Sequence, residues 1–208
     1  MSFVYPEVLE RMKSGTQIYL DLGCCFAQDV RRLVYDGVSS EMCYGSDLRL
    51  DFMELGYKLF LDNETLKSKF IAADIFNSDS NLKQLDGQVD MIHAASFFHL
   101  FDLGEQKQIG RRCVELLKPR KNCLIFGRQV GNVKGGRFAH RTRKGYMYRH
   151  DLETWSQMWK EIGEETGTKW DVQAKLHEWK LGTLANQQAQ SYQHEGAMRL
   201  EFSVRRIG

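Results

Sequence analysis

The amino-acid sequence predicts an α/β domain built on a doubly wound, mostly parallel sheet that a C-terminal antiparallel hairpin closes. Three observations lead there. Short apolar runs alternate with stretches of helical periodicity through the first two-thirds of the chain. Each of the first three runs carries an acid at its end or one residue before it: Asp21, Asp47 and Asp74. The last two runs, residues 170–179 and 198–207, follow one another without a clear helix between them.

Residues 16–22 form an apolar run ending in Asp-Leu, with Gly23 next, so a buried strand gives way to a turn. Residues 27–35 then place Val30, Leu33 and Val34 at helical spacing. Residues 42–47 make a second strand, and 52–61 an amphipathic helix with Met53, Leu55, Leu59 and Phe60 apolar. The third strand covers 69–74 and the fourth 89–95. A helix over 103–117 carries Ile109, Cys113, Leu116 and Leu117 on one face, and Pro119 stops it. The fifth strand covers 122–127. Asp151 caps a helix over 152–166 whose apolar face holds Trp155, Met158, Trp159 and Ile162. The final strand alternates Leu200, Phe202 and Val204.

A chain of 208 residues is long enough for one full domain and cramped for two, so residues 1–208 are read as a single domain. The 42% hydrophobic and 27% charged content is ordinary for a globular protein, and a net charge of +2 does not by itself imply nucleic acid or membrane binding. No apolar run approaches the ~20 residues that cross a bilayer. The N-terminus carries acids and lacks the apolar core of a secretory leader. The five cysteines are odd in number and lack zinc spacing, so they read as reduced thiols of a cytoplasmic protein, and no metal site is expected.

The chemistry gathers at the strand ends. In an open parallel sheet, ligands bind beyond the carboxyl ends of the strands, where strand order reverses. Three carboxylates after successive strands suit a ligand rich in hydroxyls and amines. Gly23 lets the backbone approach that ligand closely, and the helix that follows aims free N–H groups at the same crevice. A dinucleotide site would want glycine at three positions; here they hold Gly23, Cys25 and Gln28, so a pyrophosphate is disfavoured. A smaller zwitterionic ligand with one ribose fits better, and Gln28 in the first helical turn could reach its carboxylate.

This pattern resembles the class I S-adenosylmethionine-dependent methyltransferases, with their Rossmann-like seven-stranded sheet, from about residue 18 to about residue 206. More narrowly, Asp21-Leu-Gly-Cys-Cys-Phe-Ala-Gln-Asp-Val-Arg31, Tyr44-Gly-Ser-Asp-Leu48, Glu54-Leu-Gly-Tyr-Lys-Leu-Phe60 and Arg149-His-Asp151 resemble the fungal methyltransferases of meroterpenoid and polyketide pathways. The resemblance implies S-adenosylmethionine as cofactor. It implies that the Gly23–Cys24 turn, with Asp21 behind it, cradles the amino-acid end. Asp47 would take the ribose hydroxyls and Leu48 would pack on the adenine. Asp74 would take the adenine amine, with Ile75 and Phe76 beside the ring. Ala94 would border the sulfonium, and Ser96, Phe97 and Phe98 the substrate. One departure is Ala27, which stands where many members have glycine.

His93 lies inside a strand and reads as a structural histidine. His99 lies just past a strand end and is the candidate base or substrate ligand. Residues 128–150 read as a flexible basic loop with seven Lys or Arg and no acid, Arg128 being the candidate substrate contact. Such a loop suits an anionic small molecule; its aromatic content is too thin to favour RNA. The resemblance implies a small-molecule oxygen acceptor, the carboxylate of a farnesylated or polyketide-derived acid giving a methyl ester. The alternatives are a cyclase or isomerase that uses the fold without methyl loss, and a non-catalytic binding subunit. Only about 16 residues precede the first strand, so either the chain is a shortened one or closure of the pocket is expected from the basic loop or from a second copy in a homodimer.

Overall fold

The computed structural model describes residues 2–140, 144–178 and 195–208. Its main sheet has seven strands: β1 (Tyr19–Leu22), β2 (Cys43–Asp47), β3 (Lys69–Ala72), β4 (Met91–Ala95), β5 (Leu124–Asn132), β8 (Trp170–His177) and β9 (Ala197–Arg206). They run in the order β3-β2-β1-β4-β5-β9-β8. The first five are parallel, and β9 runs antiparallel to both β5 and β8. Strand order reverses between β1 and β4, so the crevice expected of a doubly wound sheet opens there.

Strand alternation splits the interior into two cores. Tyr19, Met91, Leu124 and Phe126 pack toward α1 (Tyr5–Lys13), α2 (Gln28–Tyr35) and α3 (Leu50–Phe60). Leu20, Ile92 and Ile125 pack toward α4 (Leu103–Leu116) and α5 (Leu152–Thr166), which contribute Ile109, Trp155 and Trp159. Both α4 and α5 start with capping boxes, from Asp102–Glu105 and from Asp151–Thr154. At the far end of the sheet, buried Asp90 accepts from the Ile18 N–H at 2.8 Å, from Lys118 at 2.7 Å and from Arg120. Burial opposes ionisation of Asp90, but these donors outweigh it and hold the carboxyl below its usual range. All five cysteines are free, and burial pushes Cys43 and Cys113 up to about 12, so both stay as thiols.

Several sequence expectations change. Residues 5–13 form α1, whose Val8 and Met12 are buried and whose Glu7 holds Arg205 of β9 through two hydrogen bonds, at 2.9 and 2.7 Å. The stretch 128–150 is not one loop. β5 continues to Asn132, and β6 (Gly136–Ala139) pairs with β7 (Tyr146–Arg149). Charge had hidden these strands. Their arginines stack on rings of the opposite strand, exposed Arg137 on Tyr146 at 4.6 Å and buried Arg149 on Phe138 at 5.1 Å. Residues 141–143 lie outside the described residues, as does Trp179, expected at the end of the penultimate strand. On α3 only Met53 and Gly56 are buried, while Leu55, Leu59 and Phe60 are exposed.

Phe98, expected at the substrate, is core. It is fully buried, with its ring 5.3 Å from Trp155 and 6.2 Å from Phe202. Truncation leaves a cavity at the junction of β4, β9 and α5. Phe98→Ala is therefore expected to cost about 3–5 kcal/mol in urea unfolding. A loss below about 1 kcal/mol would contradict this packing.

Candidate functional site

The turn after β1 is clamped to β2. The Gly23 and Cys24 N–H groups both donate to the Ser46 carbonyl, at 2.8 and 3.0 Å. The Cys25 N–H donates to Asp47 Oδ2 at 2.9 Å, and the Arg49 N–H to Asp47 Oδ1 at 3.0 Å. Gly23 has φ +73°, and a Cβ there would lie 2.5 Å from Phe97, so both conformation and space require glycine. Cys25 and Ala27 also hold positive φ, 51° and 53°. Ala27 thus keeps the left-handed backbone at the position where glycine was expected, fully buried, at a cost of roughly 1–2 kcal/mol. Arg31 is buried, and its guanidinium donates to the Phe26 carbonyl at 2.6 Å and to Asp62 at 2.7 and 2.9 Å.

A crevice of ≈ 190 Å³ opens beside this turn. Gly23, Asp47 and Leu48 form one side; Asp74, Ile75 and Phe76 form another; Phe97 and Phe101 close it. The aromatic wall is continuous, with Phe101 5.3 Å from both Phe76 and Phe97. Asp74 is exposed and, among the described residues, its carboxylate accepts only the Phe76 N–H, at 2.9 Å, so it has lone pairs to spare. An apolar slot between two strand-end carboxylates fits a nucleoside, with rings on the aromatic wall and hydroxyls or amines on the acids.

On the other side of the turn lies a recess of ≈ 50 Å³ lined by Tyr5, Asp29, Arg32, His93, Arg128 and Glu201, among others. Behind it, buried Asp21 Oδ1 and His93 Nδ1 are 2.9 Å apart, joining β1 to β4 where Asp21 pairs with His93 in register. Burial raises the Asp21 carboxyl above its usual range. Burial pulls the His93 imidazole down, but the hydrogen bond and charge of Asp21 outweigh it and hold it raised. Asp21, Asp29 and His93 bring potential ligand atoms within 4.8 Å of one another, a geometry suited to a positive charge.

Asp21, Gly23, Asp47, Leu48, Asp74, Ile75 and Phe97 thus meet at the turn and crevice. Gln28 is exposed on the first turn of α2, beside Asp29 at 3.5 Å. Cys24 and Ala94 turn their side chains into the two cores. Ser96 is exposed with φ 55°, and its N–H donates to the carbonyl of Arg128, whose side chain is exposed. His99 sits in a short turn with Nδ1 buried and, among the described residues, without a hydrogen-bond partner. Asp29, His93 and Phe101 are site residues that the sequence reading did not place there. An acid in the first turn after the glycine bend was the available signal for Asp29.

No family model matches the chain. Among curated proteins, it is 41% identical over 212 residues to O-methyltransferase phiE of a fungal species, covering 97% of this chain and 71% of that one. It is 42% identical over 210 residues to O-methyltransferase atr3 of Stereocaulon alpinum, covering 100% and 59%. It is 39% identical over 210 residues to methyltransferase adrK of Penicillium rubens, covering 97% and 70%. The chain therefore spans between 59% and 71% of the length of these relatives. Among solved structures, 1,6-didemethyltoxoflavin-N1-methyltransferase of Burkholderia thailandensis matches with TM-score 0.66 at 11% identity, over 100% of this chain and 80% of that one. The [4+2]-cyclase SpnF matches with TM-score 0.66 at 11% identity, over 96% and 79%. These two likenesses speak to the fold.

Fold, crevice and relatives together define an S-adenosylmethionine-dependent methyltransferase, and its cofactor is S-adenosylmethionine. Within that class the chain belongs to the fungal group of secondary-metabolite methyltransferases that contains phiE, atr3 and adrK. Among the described residues no helix is long and apolar enough to cross a membrane.

Burial lowers the His99 imidazole to about 4, helped by the charge of Arg149, and burial lowers His150 to about 4 as well. Unfolded histidine titrates near ~6.5. Between those values the unfolded chain binds more protons, so this contribution is complete above ~6.5 and is lost as pH falls toward ~4. His93, raised in the fold, acts in the opposite sense, its contribution being lost as pH rises. Urea unfolding across pH ~4 to ~7 should show stability rising with pH, with His99→Asn and His150→Asn each flattening the slope by about one proton. An unchanged slope in both variants would contradict the burial of these rings.

Proposed function

We propose that the chain transfers the methyl group of S-adenosylmethionine to the carboxylate oxygen of a small secondary-metabolite acid, forming a methyl ester. The observation that carries the choice of acceptor is the exposed cation Arg128 beside Ser96, while His99 lines neither depression and so offers no base to a phenol or alcohol. A carboxylate is already ionised near neutral pH and needs no base. Exposed Arg128, in the middle of β5 with its carbonyl on the Ser96 N–H, supplies the matching cation, and residues 128–150 carry no acid. Two of the relatives are named O-methyltransferases, which supports an oxygen acceptor.

In this reading the two depressions flanking the turn divide the cofactor between them. Asp47 receives the ribose hydroxyls, and Asp74 the adenine amine. Leu48, Ile75 and Phe76 hold the ring. Across the turn, Asp29 and the Asp21–His93 pair face the ammonium of the amino-acid end, and Gln28 its carboxylate. Bound there, the sulfonium supplies the methyl group for an in-line displacement. The protein's share is alignment and exclusion of water. Ser96 and Phe97 border the acceptor; His99 acts as a neutral positioning group. The likeness to SpnF, at 11% identity, lends no weight to cyclisation without methyl loss.

Incubation with methyl-labelled cofactor and matched panels of carboxylic acids and phenols tests this. The expected product is an alkali-labile ester heavier than its acid by one CH2, formed at a rate nearly flat between pH ~6 and ~8, since no reacting group titrates there. Labelling of phenols alone would overturn the acceptor, and rearrangement without mass change would overturn methyl transfer. Asp47→Ala and Asp74→Ala should each weaken binding of the demethylated cofactor by about tenfold or more, about 1.4 kcal/mol. Unchanged affinity in calorimetry would contradict the assigned crevice.

A further inference from the structure

The recess beside the Gly23 turn has two unlike ends. Its floor is one face of the sheet. Asp21 pairs in register with His93, His93 with Phe126, and Arg128 with Glu201. Residues two apart on a strand share a face, so Arg128 joins Phe126 and Arg199 joins Glu201. Arg128, Arg199 and Glu201 all line the recess. Asp29 and the Asp21–His93 pair make its acidic end, on the side of the turn. The three residues on β5 and β9 make the other end.

At that second end, cations outnumber acids. Arg128 is exposed and, among the described residues, forms no ion pair. Arg199 is half-buried, and its Nε is buried and, among the described residues, without a hydrogen-bond partner. A terminal nitrogen of Arg199 lies 3.9 Å from Glu201 Oε2, past hydrogen-bond distance. Glu201 is buried, and its Oε1 accepts the Phe3 N–H at 2.6 Å. His177 Nε2 stands 3.4 Å from Oε2. Arg32, the other arginine of the recess, is already bound to Asp36 at 2.8 Å. Two guanidinium groups thus share one carboxylate, and this end of the recess is one anion short.

The sheet separates that anion from the cofactor. From β4, which carries His93, to β9, which carries Arg199, the floor crosses two strand spacings, about 10 Å. The ammonium and carboxylate of an amino acid sit on the same carbon, so a cofactor end held at Asp29 does not span to β9. A recess of ≈ 50 Å³ is too small for a whole metabolite but accepts its acid group. We propose that Arg199 is a second acceptor-binding residue, which together with Arg128 grips the carboxylate of the acceptor, and that Glu201 is the positioning residue that holds Arg199 over the recess. A carboxylate offers about four lone-pair sites, so two guanidinium contacts leave an oxygen lone pair for the methyl group. The inference rests on the carboxylate reading above and extends it to a second strand.

Calorimetric titration of the full chain, saturated with the demethylated cofactor, tests it. Benzoate and octanoate are the probes, and their amides are the neutral controls. The acids should bind and the amides should not. Arg199→Gln should weaken acid binding by about tenfold, and Arg199→Lys should recover part of that loss. Glu201→Gln keeps an acceptor for the Phe3 N–H but removes the competing charge, so it should tighten acid binding, an opposite sign that a merely structural role does not give. Affinity for the demethylated cofactor should stay within about twofold in all three variants, which also shows that they fold. Acid binding unchanged in Arg199→Gln would overturn the inference. A loss of cofactor affinity in that variant would assign Arg199 to the cofactor and overturn it equally. Weaker acid binding in Glu201→Gln would overturn the positioning role. A wild type that binds neither acid would instead overturn the carboxylate reading itself.

Discussion

The Ser46 carbonyl accepts two consecutive peptide N–H groups, from Gly23 and Cys24, and the neighbouring Asp47 carboxylate accepts a third, from Cys25. This clamp joins the turn after β1 to the end of β2. It determines where α2 starts, where Asp29 stands, and how wide the crevice beside Phe97 can be. The remaining Asp47 oxygen holds the Arg49 N–H, so the same carboxylate also orients the entry to α3. A single strand end thus governs both depressions that flank the turn.

The clamp also explains how the turn tolerates its residues. Cys25 and Ala27 both occupy the left-handed region, where a side chain costs roughly 1–2 kcal/mol. Such conformations persist where surrounding bonds over-determine them. Ala27 is enclosed by the core of α1 and α2, and Arg31 ties the preceding Phe26 carbonyl to Asp62. Ser96, the third polar or small residue held this way near the crevice, is anchored by its N–H to Arg128. Strain concentrates at the carboxyl ends of β1 and β4, where strand order reverses.

Electrostatics divide the site. Carboxylates border the crevice, the hydrogen-bonded Asp21–His93 pair backs the recess, and Arg128 is exposed on β5. His99 and His150 are kept neutral by burial. In the proposed reaction this leaves charge to do the recognition and leaves proton transfer unused. That economy follows from an acceptor that arrives already ionised.

Much of this was legible in the sequence, and for a local reason. Strand periodicity and an acid at each strand end are properties of contiguous residues, so Asp21, Asp47, Asp74 and the Gly23 turn could be placed without the fold. What failed depended on faces and partners. Beyond β4 the alternation breaks at Ser96, whose φ of 55° reverses the chain, and nothing local decides that Phe97 enters the crevice while Phe98 enters the core. The β6–β7 pair was hidden because its arginines are satisfied by rings brought from the opposite strand. Asp29 and His93 became site residues only when parallel pairing set β4 beside β1 and α2 above them. The sequence by itself determined the sheet, the turn and the carboxylates of the crevice. Tertiary structure alone decided which aromatic faces the ligand, which histidine stays neutral and which side of α3 is left bare, because burial and charge pairing depend on neighbours distant along the chain.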